Sequence, residues 1–146
     1  MTALLVKFLG FLLYANILLT GVLYVYLRNR RQFIRFQDGI NIATMVGGFI
    51  AVICGVILIY QFPFHYVVVT IITTLIGIVV GACFGALFNL ETLLTGYTHG
   101  MMMGLMSPMI GAAAKNSIAF LIFLELFFLT SLFIAFRFTG QRSETL

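Results

Sequence analysis

Four apolar runs, residues 8–27, 42–60, 67–88 and 117–136, leave this chain very few ways to fold. Each has about the 20 residues that a helix needs to cross a hydrocarbon layer about 30 Å thick. Helices are the expected form, because only a helix or a closed barrel satisfies its backbone polar groups in lipid. Charged residues make up 8% of the 146 positions, against about 25% in soluble domains, so a water-facing surface is excluded. The expectation is an all-α membrane protein. One transmembrane helical domain covers 1–138, and a polar cytoplasmic tail covers 139–146.

A fifth stretch, 97–114, is less apolar, rich in Gly and Met, and interrupted by Pro108. It reads as a span or a re-entrant hairpin, and charge decides between them. If it spans, Arg28, Arg30, Arg31, Arg35, Arg137 and Arg142 share one side, with Lys7 and Lys115 on the other, six against two. If it re-enters, the balance is five against three. The positive-inside rule favours the first arrangement. Five spans follow, with the N-terminus outside and the C-terminus cytoplasmic. The default location is a cell membrane, taken as a bacterial cytoplasmic membrane. The first run ends in arginines, not at a small-residue cleavage site, so it reads as a span and not as a leader. Arg28, Arg30, Arg31 and Arg35 account for half of the eight basic residues. Clustered at one membrane end, they set topology and meet anionic head groups, which argues against a nucleic-acid partner.

Small residues recur at a spacing of four in the middle helices. They are Gly47, Ala51 and Gly55 in the second and Gly77, Gly81 and Gly85 in the third, with Gly100, Gly104 and Gly111 in the fourth. Such residues lie on one helix face and let two backbones approach closely where lipid supplies no hydrophobic force. They pack the monomer, or dock a second copy or a larger membrane complex. The fifth helix instead carries Phe120, Phe123, Phe127, Phe128, Phe133 and Phe136, a bulky surface for lipid or a partner.

Glu125 is the single acid within the last apolar run. At bilayer depth a carboxyl must be protonated, paired or facing a polar cavity. Eight residues from the start of its run, it lies about 12 Å below the surface. In a hairpin of helices four and five its neighbours are expected to be Ser107 and the Gly104 carbonyl, which loses its helical donor to Pro108. His99, Met102, Met106 and Met109 are the further candidate lining. Asn16, the one amide within the first run, is expected to bridge to another helix.

Thioether and imidazole ligands suit soft Cu(I), so a copper ion is a candidate cofactor at His99 and these methionines. Met102 and Met106 resemble, in that detail alone, the Met-x-x-x-Met element of the high-affinity copper transporter family. That family has three spans, a Met-rich extracellular tail and a Gly-x-x-x-Gly in the helix after the methionines. This chain shares none of these, and the family is not assigned. Met is equally the adaptable filler of membrane interiors, and no metal site is firmly assigned.

No Gly-x-Ser-x-Gly, His-Glu-x-x-His or Cys-x-x-Cys motif or phosphate-binding glycine loop occurs, so no enzyme is expected. Cys54 and Cys83 fall at different depths and are expected to be packing residues, not a disulfide. The leading functional expectation is an oligomeric membrane protein that binds or conducts a proton or soft metal ion at Glu125. Its rival is a non-transporting subunit or assembly factor that docks through its Gly-rich and Phe-rich faces.

Overall fold

The computed structural model describes residues 2–145 as five helices and no strand. They are α1 (Thr2–Arg30), α2 (Phe36–Gln61), α3 (Tyr66–Ala86), α4 (Leu90–Ala113) and α5 (Ile118–Thr145). Four of the five, α1, α2, α3 and α5, are long and apolar enough to cross a membrane. The helices outrun the apolar segments that define them. Most of the basic stretch after residue 27 is helical, leaving a single 3-10 turn at Arg31–Phe33 between α1 and α2. The polar residues from Thr139 continue α5 instead of forming a separate tail.

The stretch expected at 97–114 lies in one unbroken helix that begins earlier, at Leu90, and ends at Ala113. Asn89 starts it, its side-chain oxygen accepting from the Thr92 amide at 3.0 Å and the Thr92 hydroxyl at 2.8 Å. That is the usual chemistry of an N-cap. Residues 90–96, which precede the expected span, are therefore helical.

The α2–α3 turn is closed by the His65 amide on the Phe62 carbonyl, around Pro63. The α4–α5 turn is tighter and places Lys115 (φ 51°) and Asn116 (φ 59°) in the left-handed region. Asn tolerates that conformation, whereas Lys carries a Cβ clash of about 1–2 kcal/mol. Lys115→Gly is accordingly expected to stabilise the protein by about 0.5–1 kcal/mol, read as a higher melting temperature in detergent. A lower one would show that the Lys115 side chain is needed.

Successive helices reverse direction. Arg28, Arg31, Arg35 and Arg137 come to one end, Lys7 and Lys115 to the other. The interior is built around α2, whose Ile50, Ile53, Cys54, Val56 and Ile57 are all buried. A helix enclosed on every side needs no polar stripe, which explains its uniform hydropathy. On one flank α2 meets α3 and α4, and on the other α1 and α5.

The α2–α3–α4 flank is a backbone seam. Gly81 faces the Gly96 carbonyl and Gly96 faces that of Gly81, with Gly47 against the Gly81 Cα. One turn along, Gly77 and Gly100 face each other's carbonyls beside Ala51. Gly85 abuts the backbone of Thr92 and Leu93, and Gly104 that of Thr73 and Thr74. Gly55 admits the Ser107 side chain, and Gly111 meets Val56 and Ile59. Small residues at every fourth position thus bring three backbones together over four turns, where dispersion is gained without hydrophobic expulsion of water.

Candidate functional site

The opposite flank of α2 carries the polar pair. On α1 the inward stripe is Leu9, Asn16, Thr20, Leu23 and Leu27. On α5 it is Leu121, Phe128, Leu132, Ala135 and Thr139, all buried, with the half-buried Glu125 in the same spacing. Steps of three and four keep each stripe on one face, so α1 and α5 pair in parallel across α2. Asn16 Nδ2 donates to Glu125 Oε1 at 2.7 Å. Asn16 is only 2% exposed. Its own carbonyl accepts from the Thr20 hydroxyl at 2.8 Å, which ties that hydroxyl to its own helix. The bridge expected of Asn16 is therefore formed, and its partner is Glu125.

Cys54 of α2 is fully buried. Around the pair the walls are apolar: Leu121 and Phe128 one turn away on α5, and Phe49 of α2 edge-on to Phe127 with ring centroids 5.2 Å apart. One carboxylate oxygen thus has a strong amide donor, while the side chain is only partly covered by the chain itself.

The company expected from α4 is elsewhere. Ser107 is buried in the seam against Gly55, and its hydroxyl donates to the Gly104 carbonyl at 3.0 Å. The Thr73 hydroxyl of α3 donates to the same carbonyl, also at 3.0 Å. Pro108 does free that oxygen, and two hydroxyls then satisfy it. The expected site of Ser107, the Gly104 carbonyl and Glu125 is thus corrected: the first two form a closed structural contact on the other flank of α2. The physical reason is that α4 packs into the small-residue seam, leaving α1, not α4, beside α5.

His99 and the methionines have different surroundings. The His99 ring packs over Gly48 of α2, where an added Cβ would lie 3.0 Å from it, with Met103 beside it. Met102, Met106 and Met109 are 57%, 50% and 61% exposed, on the outer face of α4. Among the described residues no group of three or more His, Cys, Asp or Glu side chains could hold a metal. His99 thus packs against α2, while the three methionines lie on the open side of α4.

The arginines come to one end of the bundle. Arg28, Arg31 and Arg35 are exposed, and the Arg30 guanidinium lies over the Tyr26 ring at 5.2 Å from its centroid. Cys54 and Cys83 are both free thiols; Cys83 is exposed on α3 and not a buried packing residue.

Two features escaped the sequence reading, and both had a signal. Gly96, just outside the expected span at 97–114, continues the spacing of Gly100 and Gly104, and Asn89 before Leu90-Glu91-Thr92 is the cap that places it in a helix. Asn16 and Glu125 each fall eight residues into their apolar runs. In odd-numbered helices running the same way, that puts them at one depth.

Fold and site define an all-helical protein with several helices able to cross a membrane and an amide–carboxyl pair between its first and last helices. No protein family matches this chain, and no curated protein or solved structure is detectably similar to it.

Proposed function

We propose that this is a five-span membrane protein that works as a subunit of a larger membrane assembly, with the α1–α5 flank as its docking face and Glu125–Asn16 at the contact. The carrying observation is that Glu125 is half-covered, with Asn16 as its hydrogen-bond partner, on two helices that leave most of their surface open. A carboxyl left against acyl chains costs at least about 2.5 kcal/mol, a cost that a neighbouring helix removes by covering it. The bundle sits with its arginine-rich end in the cytoplasm and both Lys7 and Lys115 outside, in accord with the positive-inside rule. No catalytic role is part of this reading.

A second reading, proton binding at the same carboxyl, draws support from one oxygen being held by Asn16 while the rest of the group stays accessible. A metal cation has weaker support, because hard cations require several oxygen ligands and the pair brings one amide and one carboxyl.

Isolation from its native membrane in mild detergent tests the first reading. The chain is expected in a complex of fixed stoichiometry, which Glu125→Leu disperses and Glu125→Gln preserves. Recovery of the unaltered chain as a bare monomer overturns it. Proton movement is read separately in reconstituted vesicles. There Glu125→Gln is expected to abolish uptake while leaving the fold intact, because the Gln carbonyl still accepts from Asn16. Equal uptake by the variant removes the second reading.

A further inference from the structure

A wide unfilled space lies away from Glu125, between α1 and α3, with α2 as its floor. This groove of about 590 Å³ is lined by Ile17, Gly21 and Tyr24 of α1, Ile50 of α2, and Val79 and Cys83 of α3, among others. Its lining is almost wholly apolar. It begins at Ile17 and Leu75 and ends where Tyr24 meets Phe84, ring centroids 5.5 Å apart.

Just beyond that contact, at the arginine-rich end, a recess of about 370 Å³ is lined by Arg31, Gln32 and Asn89 together with Phe36, Leu87 and Phe88. Leu87 lies seven residues beyond Val80 on the α3 side, and Arg31 opens the turn that follows directly on α1. Among the described residues Arg31 makes no ion pair or hydrogen bond with its side chain.

We infer that the groove and recess together form a binding site for one anionic phospholipid, with its phosphate at Arg31 and an acyl chain lying from Tyr24 to Ile17. Charge complementarity selects the head group: a guanidinium with Gln32 and Asn89 beside it offers donors to a phosphate. Length selects a lipid over a protein helix. From Ile17 to the end of α1 at Arg30 is about 20 Å along the axis. One leaflet with its head-group layer is about 20–22 Å, half of the full bilayer. A transmembrane helix of a partner or of a second copy would need a channel through both leaflets, whereas the lined length from Ile17 to the arginine-rich end matches one. The inference is independent of any role for Glu125.

The chain contains no Trp, so Val79→Trp places a sole indole in the groove and Ile122→Trp a control on the exposed face of α5. Each is reconstituted in phosphatidylcholine bilayers doped with brominated phosphatidylglycerol or with brominated phosphatidylcholine. Quenching of Val79→Trp is expected to favour phosphatidylglycerol about fivefold, the weight of one arginine near an anionic surface. The control should respond equally to both lipids. Adding Arg31→Gln should erase the preference, and inorganic phosphate should not compete. In parallel, native mass spectrometry of the Trp-free protein should retain one phosphatidylglycerol, lost in Arg31→Gln. That measurement decides the matter if Val79→Trp fails to fold. Equal quenching by the two lipids, a preference that survives Arg31→Gln, or displacement by inorganic phosphate would overturn the site. So would absence of quenching by either lipid, which would mean that protein fills the groove.

Discussion

Gly81→Leu should prevent α2, α3 and α4 from closing, at a cost of more than about 3 kcal/mol, the upper range for overpacking an interior. The size follows from what the new side chain meets. A Cβ at Gly81 overlaps the Gly96 carbonyl, and Gly47 presses on the Gly81 Cα from the third helix. Neither obstacle is the end of a flexible side chain, so relief requires moving whole helices. A total stability of about 5–15 kcal/mol leaves little room for that. Gly81→Ala should already destabilise by about 2 kcal/mol for the same reason. Gly21→Ala is the control, since nothing lies within 4 Å of the added carbon. It should be neutral or stabilising by up to about 1 kcal/mol. Reversible unfolding in mixed micelles reads all three variants, and equal midpoints for Gly81→Ala and Gly21→Ala would refute the seam as a source of stability.

The second large effect concerns the polar pair. Asn16→Leu removes the donor to Glu125 and leaves the carboxyl against apolar walls. The hydrogen bond itself is worth about 0.6–1.7 kcal/mol between membrane helices, and an orphaned polar group adds about 1–3 kcal/mol. A loss of about 2–3 kcal/mol is expected. Glu125→Leu in the same background should recover most of it, because two apolar groups of similar size replace a pair whose desolvation was itself costly. A double variant as unstable as Asn16→Leu alone would show that the pair does not act as a unit. The cycle also separates structure from function: recovery of folding without recovery of assembly assigns Glu125 to the docking face.

Much of the architecture was open to reading before any coordinates. Hydropathy and length placed the spans, since a lipid-facing helix must be apolar for its full width and about 20 residues long. The four-residue spacing of Gly77, Gly81 and Gly85 and of Gly47, Ala51 and Gly55 located faces that do approach other backbones. Composition is silent on which faces meet. Ser107 and Glu125 stand at similar depth, and neighbours in sequence suggested a pairing that space does not make. α2 intervenes because its own glycines draw α4 to one flank, leaving the other to α1 and α5. Exposure of Met102, Met106 and Met109 follows from the glycines of α4, since Gly96, Gly100 and Gly104 turn the other side of the helix into the seam.

The amide of Asn16 and the carboxyl of Glu125 are separated by 109 positions in the chain. At ribosomal rates of about 5–20 residues per second, Asn16 enters the bilayer roughly 5–20 s before its acceptor exists. During that interval α1 carries an unmet polar group, and a chain cut short before α5 carries it permanently. A helix made late in the chain thus satisfies a polar group that an early one has already carried into the membrane.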